Sequence, residues 1–391
     1  MGSKSDIATE SLASPADKRH LFPVQYSYNY LDSLPEFFRL PNLKLNDAFH
    51  EQAACSAPPF LSTNAITISP EAAGLPRWTA LNCFRQSKHW NAALAAGIEQ
   101  LKLFAADDFY GERTRKGQSF RQVSSKLLQN AENGFLRFTL YMFPECNEHK
   151  AKLMAIVMVY VFVFDDLWEA HEDTKIPIIQ EGFISHLRTQ APAKTPLQVS
   201  IEKTIRDLQS YAARGGQDVI DMLVEFCTHP PPPPAQFINL DEFLAYRRDD
   251  AAVRQGYVLA CTKFSIGSSV EINSPKLQTL VRLFGNHIVY VNDLGSYEKE
   301  KRAYDEGKVE YLINTVHMVE ELLSVPGQGK TVTYGLQLQV ECDIDAEIGR
   351  LKGELTDDEY DFVMACVATL AGNVLCSSIM DRYGGDKAKL S

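Results

Sequence analysis

The sequence predicts an all-α protein. Three observations carry that prediction. From Trp78 onward apolar residues recur at helical spacing. Ala, Leu, Glu, Lys and Arg fill those stretches, and these residues lose little on entering a helix. Clean apolar–polar alternation, the mark of a half-buried strand, is scarce.

Taken in order, residues 1–19 read as a polar tail. The stretch from there to about Pro76 mixes Pro, Asn and Ser with short apolar runs and reads as a segment wrapping over a domain. Residues 1–76 are therefore set apart from a single helical domain over 77–391. Within that domain the patterns predict helices over 89–106, 118–132, 148–171, 179–190, 196–212, 216–227, 240–264, 276–304, 307–323, 343–352 and 355–383. The run Pro230–Pro234 must be non-helical, because proline supplies no N–H and clashes with the preceding turn. It reads as a stiff connector between two helices. A chain of 391 residues can bury a substantial core.

Charge narrows the function classes. Lys+Arg 39 against Asp+Glu 50 leaves a net charge of -11. No nucleic-acid partner is expected, since such binding needs a basic surface. An acidic protein acting on an anionic substrate would need local positive charge from Arg, Lys or metal ions. The longest apolar run, Leu153 to Phe164, is too short to span a bilayer and ends at Asp165 and Asp166, so no membrane span is expected. Residues 1–18 lack the apolar core of a secretory signal. Eight cysteines form no CxxC pair, which leaves zinc and redox motifs unsupported and suits a cytoplasmic protein with reduced thiols. The nine histidines form no HExxH, and His171 and His287 read as surface or packing residues. No GxSxG is present. Ser324–Thr331 echoes a phosphate-binding loop, but it lacks the first glycine and follows a helical pattern rather than a strand; it reads as a flexible loop.

Two places carry chemistry. In Val161-Phe162-Val163-Phe164-Asp165-Asp166-Leu167-Trp168-Glu169 an apolar helix ends in three acids. Asp165 and Glu169 share a face one turn apart and repel each other unless a cation sits between them. Hard oxygen ligands suit Mg²⁺. Taken alone, the pattern is equally that of a helix reaching solvent. In Val289-Tyr290-Val291-Asn292-Asp293-Leu294-Gly295-Ser296-Tyr297-Glu298-Lys299-Glu300, the residues Asn292, Ser296 and Glu300 fall at i, i+4 and i+8. They form one stripe offering an amide oxygen, a hydroxyl and a carboxylate to a single cation.

The pair of motifs resembles the class I terpene synthases, most closely the fungal sesquiterpene cyclases. In that family an aspartate-rich motif and an NSE motif, NDxxSxxxE, face each other across a helical bundle. The resemblance covers roughly residues 80–391. It implies a single all-α bundle around a central apolar cavity. It also implies Mg²⁺, three ions, held by Asp165, Asn292, Ser296 and Glu300, with Asp166 and Glu169 as secondary positions. Arg248, 44 residues before Asn292, would be the diphosphate sensor, with Arg247 in reserve and Ala251 and Ala252 at a helix break. Lys299 and the pair Arg382-Tyr383 would contact the same diphosphate. Phe162, three residues before Asp165, either looks into the pocket below the metals or packs in the core. One departure stands out: where many relatives carry a pocket aromatic, this chain has Asn373-Val374-Leu375-Cys376.

The implied activity is that of a terpene cyclase, a lyase that ionises farnesyl diphosphate and cyclises the carbocation to a sesquiterpene hydrocarbon or alcohol. Geranylgeranyl diphosphate is the alternative substrate. A rival from another class is a non-catalytic helical adaptor using Pro230–Pro234. The small-molecule prenyl diphosphate is the expected partner, and the enzyme is expected to be a monomer or homodimer.

Overall fold

The computed structural model describes residues 29–383 apart from 32–33, 35–37, 51–58, 72–74, 109–118, 169–175, 189–190, 228–232, 235, 251–254 and 381, and of 50, 59, 166–168, 176–180 and 255 only the backbone. The helices are α1 (Asp47–His50), α2 (Trp90–Ala106), α3 (Phe120–Leu128), α4 (Arg137–Met142), α5 (Glu148–Trp168), α6 (Ile176–Leu187) and α7 (Pro196–Gln209). They continue with α8 (Gly216–Cys227), α9 (Leu240–Asp250), α10 (Gln255–Ile266), α11 (Gln278–Asp305), α12 (Thr315–Leu323), α13 (Gly329–Arg350) and α14 (Asp357–Ile379). The sheet is one antiparallel pair, β1 (Ala65–Thr67) with β2 (Arg85–Ser87). The fold is all-α, as predicted.

Five helices make a ring. α5 packs on α10, α10 on α11, α11 on α14, α14 on α4, and α4 back on α5. Among the described residues α5 and α11, which carry the two acidic motifs, make at most slight contact with each other. Lower down, α10 also reaches α14, where Thr262 and Thr369 pair their hydroxyls at 3.0 Å. The seam between α4 and α14 is drawn in to backbone contact at Gly372, where a Cβ would lie 2.0 Å from the Tyr141 carbonyl oxygen. A backbone atom cannot step aside as a side chain can. Gly372→Ala is therefore expected to destabilise the protein by about 1–3 kcal/mol, despite alanine's better helix propensity. Urea unfolding measures it; an unchanged midpoint would contradict so close a seam.

The segment before the bundle lies against it. Buried Glu341 of α13 accepts from the Thr79 hydroxyl (2.6 Å) and the Ala80 N–H (2.7 Å). The same carboxylate meets His287 Nε2 at 3.0 Å and accepts from Gln337 Nε2 at 3.0 Å. His287 is thus a packing residue, fully buried between α11 and α13. Nearer the hairpin, Arg85 and Glu145 form a buried ion pair that Ser62 Oγ joins at 2.6 Å.

α14 is long and apolar enough to cross a membrane, but its apolar window is wholly buried in the protein, which is the condition of a core helix. Its start is written in sequence: Thr356 and Glu359 make a capping box, and Asp357, Asp358 and Glu359 complement the helix dipole. The seven described cysteines are free thiols.

Several predicted boundaries are corrected. The helix expected over 240–264 is described as α9 and α10; residues 251–254 between them, with the break expected at Ala251 and Ala252, fall outside the described residues. The helix expected over 343–352 begins at Gly329, because the mixed polar and apolar residues before it still pack one face: Thr333, Tyr334, Gln337 and Leu338 are buried. α4 was not predicted; six residues are too few to show a period. The helix expected from 307 begins at Thr315, capped by Asn314, whose side chain accepts from the Val316 N–H. The helix expected to 383 stops at Ile379, so Arg382 and Tyr383 lie beyond it. The Ser324–Thr331 stretch follows helix α12 and turns directly into α13, where Lys330 pairs with Glu298 at 2.7 Å. Of Pro230–Pro234, residues 230–232 are outside the described residues, as is His171.

Candidate active site

Asp165 lies in the last turn of α5, and Asn292 in the second half of α11. Two consecutive residues tie them together. Arg382 Nη2 donates to Asp165 Oδ2 at 2.9 Å. Asn292 Nδ2 donates to Tyr383 Oη at 3.3 Å. The two acidic motifs therefore meet at one mouth of the ring, bridged by the segment that follows α14. Tyr383 is buried, and burial pushes its hydroxyl well above the usual phenol range, so it stays protonated.

Beneath the Arg382 guanidinium, 4.8 Å from its carbon, lies the Phe162 ring. Phe162 is sandwiched with Phe135 (4.6 Å between centroids) and Phe138 (5.6 Å). Its core-packing reading is what the contacts show, and the same ring lies beside the Arg382–Asp165 pair. Glu169 falls outside the described residues, and of Asp166 only the backbone is described.

On α11 the stripe is anchored from behind. Asp293, fully buried, accepts from Arg247 Nη2 at 2.6 Å, and from the Thr315 N–H (2.7 Å) and hydroxyl (2.6 Å). Asn314 Nδ2 donates to the Asp293 carbonyl at 3.0 Å and to Glu300 Oε2 at 2.9 Å. Burial raises the Glu300 carboxyl, with the Asp293 charge adding to it and Arg247 opposing. Lys299, half-buried, adds a weaker stabilising charge beside Glu300. Sequence reading missed Asp293, Asn314 and Thr315. The Asn-Thr pair is an N-cap signal, hidden because the helix was expected to start earlier.

The two arginines differ. Burial alone would lower the Arg247 guanidinium, but Asp293, Asp250 and Glu300 hold it above its usual value. Arg247 is locked between Asp293 and Asp250 (2.8 Å). Arg248 is half-buried and donates to the neutral Asn286 Oδ1 at 2.7 Å. Burial leaves it below its usual value, so its charge is the less compensated of the two.

Ser296 Oγ is buried with no hydrogen-bond partner among the described residues. An orphan hydroxyl on the Asn292–Glu300 stripe fits a metal ligand, and the amide, hydroxyl and carboxylate oxygens are hard donors. Among the described residues no three His, Cys, Asp or Glu side chains cluster closely enough to hold an ion by themselves. The stripe's neutral donors and single carboxylate therefore suit an ion that shares its ligands with an anionic substrate.

A model of terpene synthase family 2, C-terminal metal binding, matches residues 235–325, the span holding both arginines and the stripe. Terpene cyclase 6 of Gibberella fujikuroi is 25% identical over 366 residues, 89% of this chain and 92% of that protein. Terpene cyclase aneC of Aspergillus aculeatus is 24% identical over 427 residues, 99% of this chain and 88% of that protein. The chain belongs to the class I terpene synthases. Among solved structures, aristolochene synthase from Penicillium roqueforti shares the fold at a TM-score of 0.57 and 16% identity, covering 74% of this chain and 95% of that one. As a class I terpene synthase the protein is an enzyme, a terpene cyclase, and the matched segment makes it dependent on a divalent metal. The adaptor reading of the proline run gives way to that membership.

Proposed function

We propose that this terpene synthase ionises farnesyl diphosphate with Mg²⁺ and cyclises the resulting carbocation to a sesquiterpene. The observation that carries the reading is the Arg382-Tyr383 bridge, which brings Asp165 and Asn292 to one mouth above an aromatic floor. Asp165 on one side, and Asn292, Ser296 and Glu300 on the other, would hold the metal, three ions in our reading. Bound there, Mg²⁺ supplies Lewis acidity that neutralises the diphosphate as it leaves.

The chain's own residues do the rest. Arg248 presents an under-compensated guanidinium whose forked donors match phosphate oxygens. Arg382 and Tyr383 offer further donors at the mouth, and Lys299 a point charge from α11. Fixed in place before the reaction, these donors stabilise charge as it develops on the departing group. The apolar ring below excludes bulk water and folds the isoprenoid chain. Phe162 lies against the Arg382 guanidinium at the head of the aromatic cluster, and an aromatic face is worth roughly 0.5–2 kcal/mol to a nearby cation.

The test is turnover of C10, C15 and C20 prenyl diphosphates with Mg²⁺, read by gas chromatography. The C15 substrate should give a cyclic volatile product, and a chelator should abolish it. Preferred turnover of the C20 substrate would move the enzyme to the diterpene synthases.

The two arginines give a sharper check. Arg248→Ala should raise KM for the diphosphate substrate tenfold or more with little change in unfolding. Arg247→Ala should instead lower the unfolding midpoint, because it strands Asp293. Equal effects on both readouts would remove the distinction.

A further inference from the structure

α14 is mostly apolar, yet it carries Asn373 near its middle, 3% exposed. Its Nδ2 is buried with no hydrogen-bond partner among the described residues. A buried amide left that way costs roughly 1–3 kcal/mol. Native proteins complete such groups with protein atoms or ordered water.

Its place in the ring follows from helix geometry. Steps of four residues turn a helix by about 40°. Thr369, Asn373 and Ser377 therefore fan across one side of α14. Thr369 donates to the Met142 carbonyl of α4 at 2.7 Å and pairs with Thr262 of α10. Ser377 lies against Gly295 of α11, where a Cβ would sit 3.3 Å away. Asn373, one turn from each, is thereby placed on the side of α14 that faces α4, α10 and α11. One turn below it, the Thr262–Thr369 pair closes the ring. About 9 Å above it the helix ends, and Arg382 and Tyr383 follow. On α4, Phe138 stacks on Phe162.

We infer that Asn373 holds a water molecule inside the reaction chamber and that this water captures the final carbocation, so that the product is an alcohol. The inference rests on the cyclase reading above. The amide N–H donates to one lone pair of the water oxygen and fixes it in place. The second lone pair attacks the cationic carbon and forms the C–O bond. The surplus proton leaves to an oxygen of the released diphosphate, and no oxidant or reductant is needed. Asn373 is thus a positioning residue, acting through the water. Without it, a water in an apolar chamber lacks the polar partners that keep it there. Proton loss to a hydrocarbon then takes over.

The full-length enzyme is incubated with Mg²⁺ and each of the C10, C15 and C20 diphosphates in ¹⁸O-water. Volatile products are normalised to diphosphate released. The expected product is a cyclic alcohol carrying one ¹⁸O. Asn373→Leu, close in shape but without donors, should lower the alcohol-to-hydrocarbon ratio at least tenfold. Asn373→Ser keeps a hydroxyl donor, serves where the leucine variant does not fold, and should retain more of the alcohol. A purely structural role would change the unfolding midpoint and leave the ratio alone. Turnover to hydrocarbon alone by the parent enzyme overturns the inference and leaves the cyclase reading intact, as does an unchanged ratio in Asn373→Leu. No turnover of any substrate overturns both.

Discussion

Asp293→Ala should unfold about 3–5 kcal/mol more easily than the parent protein. The carboxylate is fully buried and answers four donors: the Arg247 Nε and Nη2, the Thr315 N–H and the Thr315 hydroxyl. Removing it strands most of a buried guanidinium, which keeps its ion pair with Asp250 and the more distant charge of Glu300. It also strips the first turn of α12 of an acceptor. The loss would spread to three helices, since α9, α11 and α12 are all joined at this carboxylate. Asp293→Asn should fall between the two, because an amide oxygen still accepts but no longer neutralises. Denaturant unfolding measures each. A loss below about 1 kcal/mol in the alanine variant would mean that the pair is not buried as described.

Ser296→Ala should separate stability from activity. The hydroxyl is buried and makes no hydrogen bond with a described residue, so removing it should leave the unfolding midpoint unchanged or slightly higher. Turnover at limiting Mg²⁺ should nevertheless fall by roughly 10²-fold, the equivalent of the several kcal/mol that a well-held metal contributes. Asn292→Ala should behave alike, with a small added cost for the lost bond to Tyr383. Higher Mg²⁺ should recover part of the activity in both. If Ser296→Ala turned over normally at limiting metal, the stripe would have no part in holding an ion.

How much of this could be read beforehand differs by layer. The long helices were legible for two reasons: α8 keeps an apolar stripe at 3.6-residue spacing, while α5 and α14 are apolar nearly all round over runs too long for strands. α4 was not, being too short to show any period. The early half of α13 was hidden because Gln337 and Glu341, both polar, are buried by hydrogen bonding and read as surface positions. At the candidate site, the stripe of Asn292, Ser296 and Glu300 could be laid out from its spacing, and Asp165 from its place at the end of an apolar helix. Asp293 was not, although it stands inside the motif, because nothing local reveals that it turns inward toward Arg247. Arg248 was preferred over its neighbour from the family resemblance alone; the physical difference between them is tertiary, since only Arg247 has the buried Asp293 as its partner. Asn373 was noticed as a departure in composition, but its surroundings became visible only through Thr369 and Ser377, one turn to either side, which meet α4, α10 and α11.

The backbone contact at Gly372 has a mechanical consequence. With the Tyr141 carbonyl seated where a methyl would otherwise stand, the two rods are keyed together like a pin in a slot. α14 cannot slide past α4 without collision. Any breathing of the enzyme during loading must then be a tilt about that pin, swinging the Arg382 end while the Thr369 end stays nearly still.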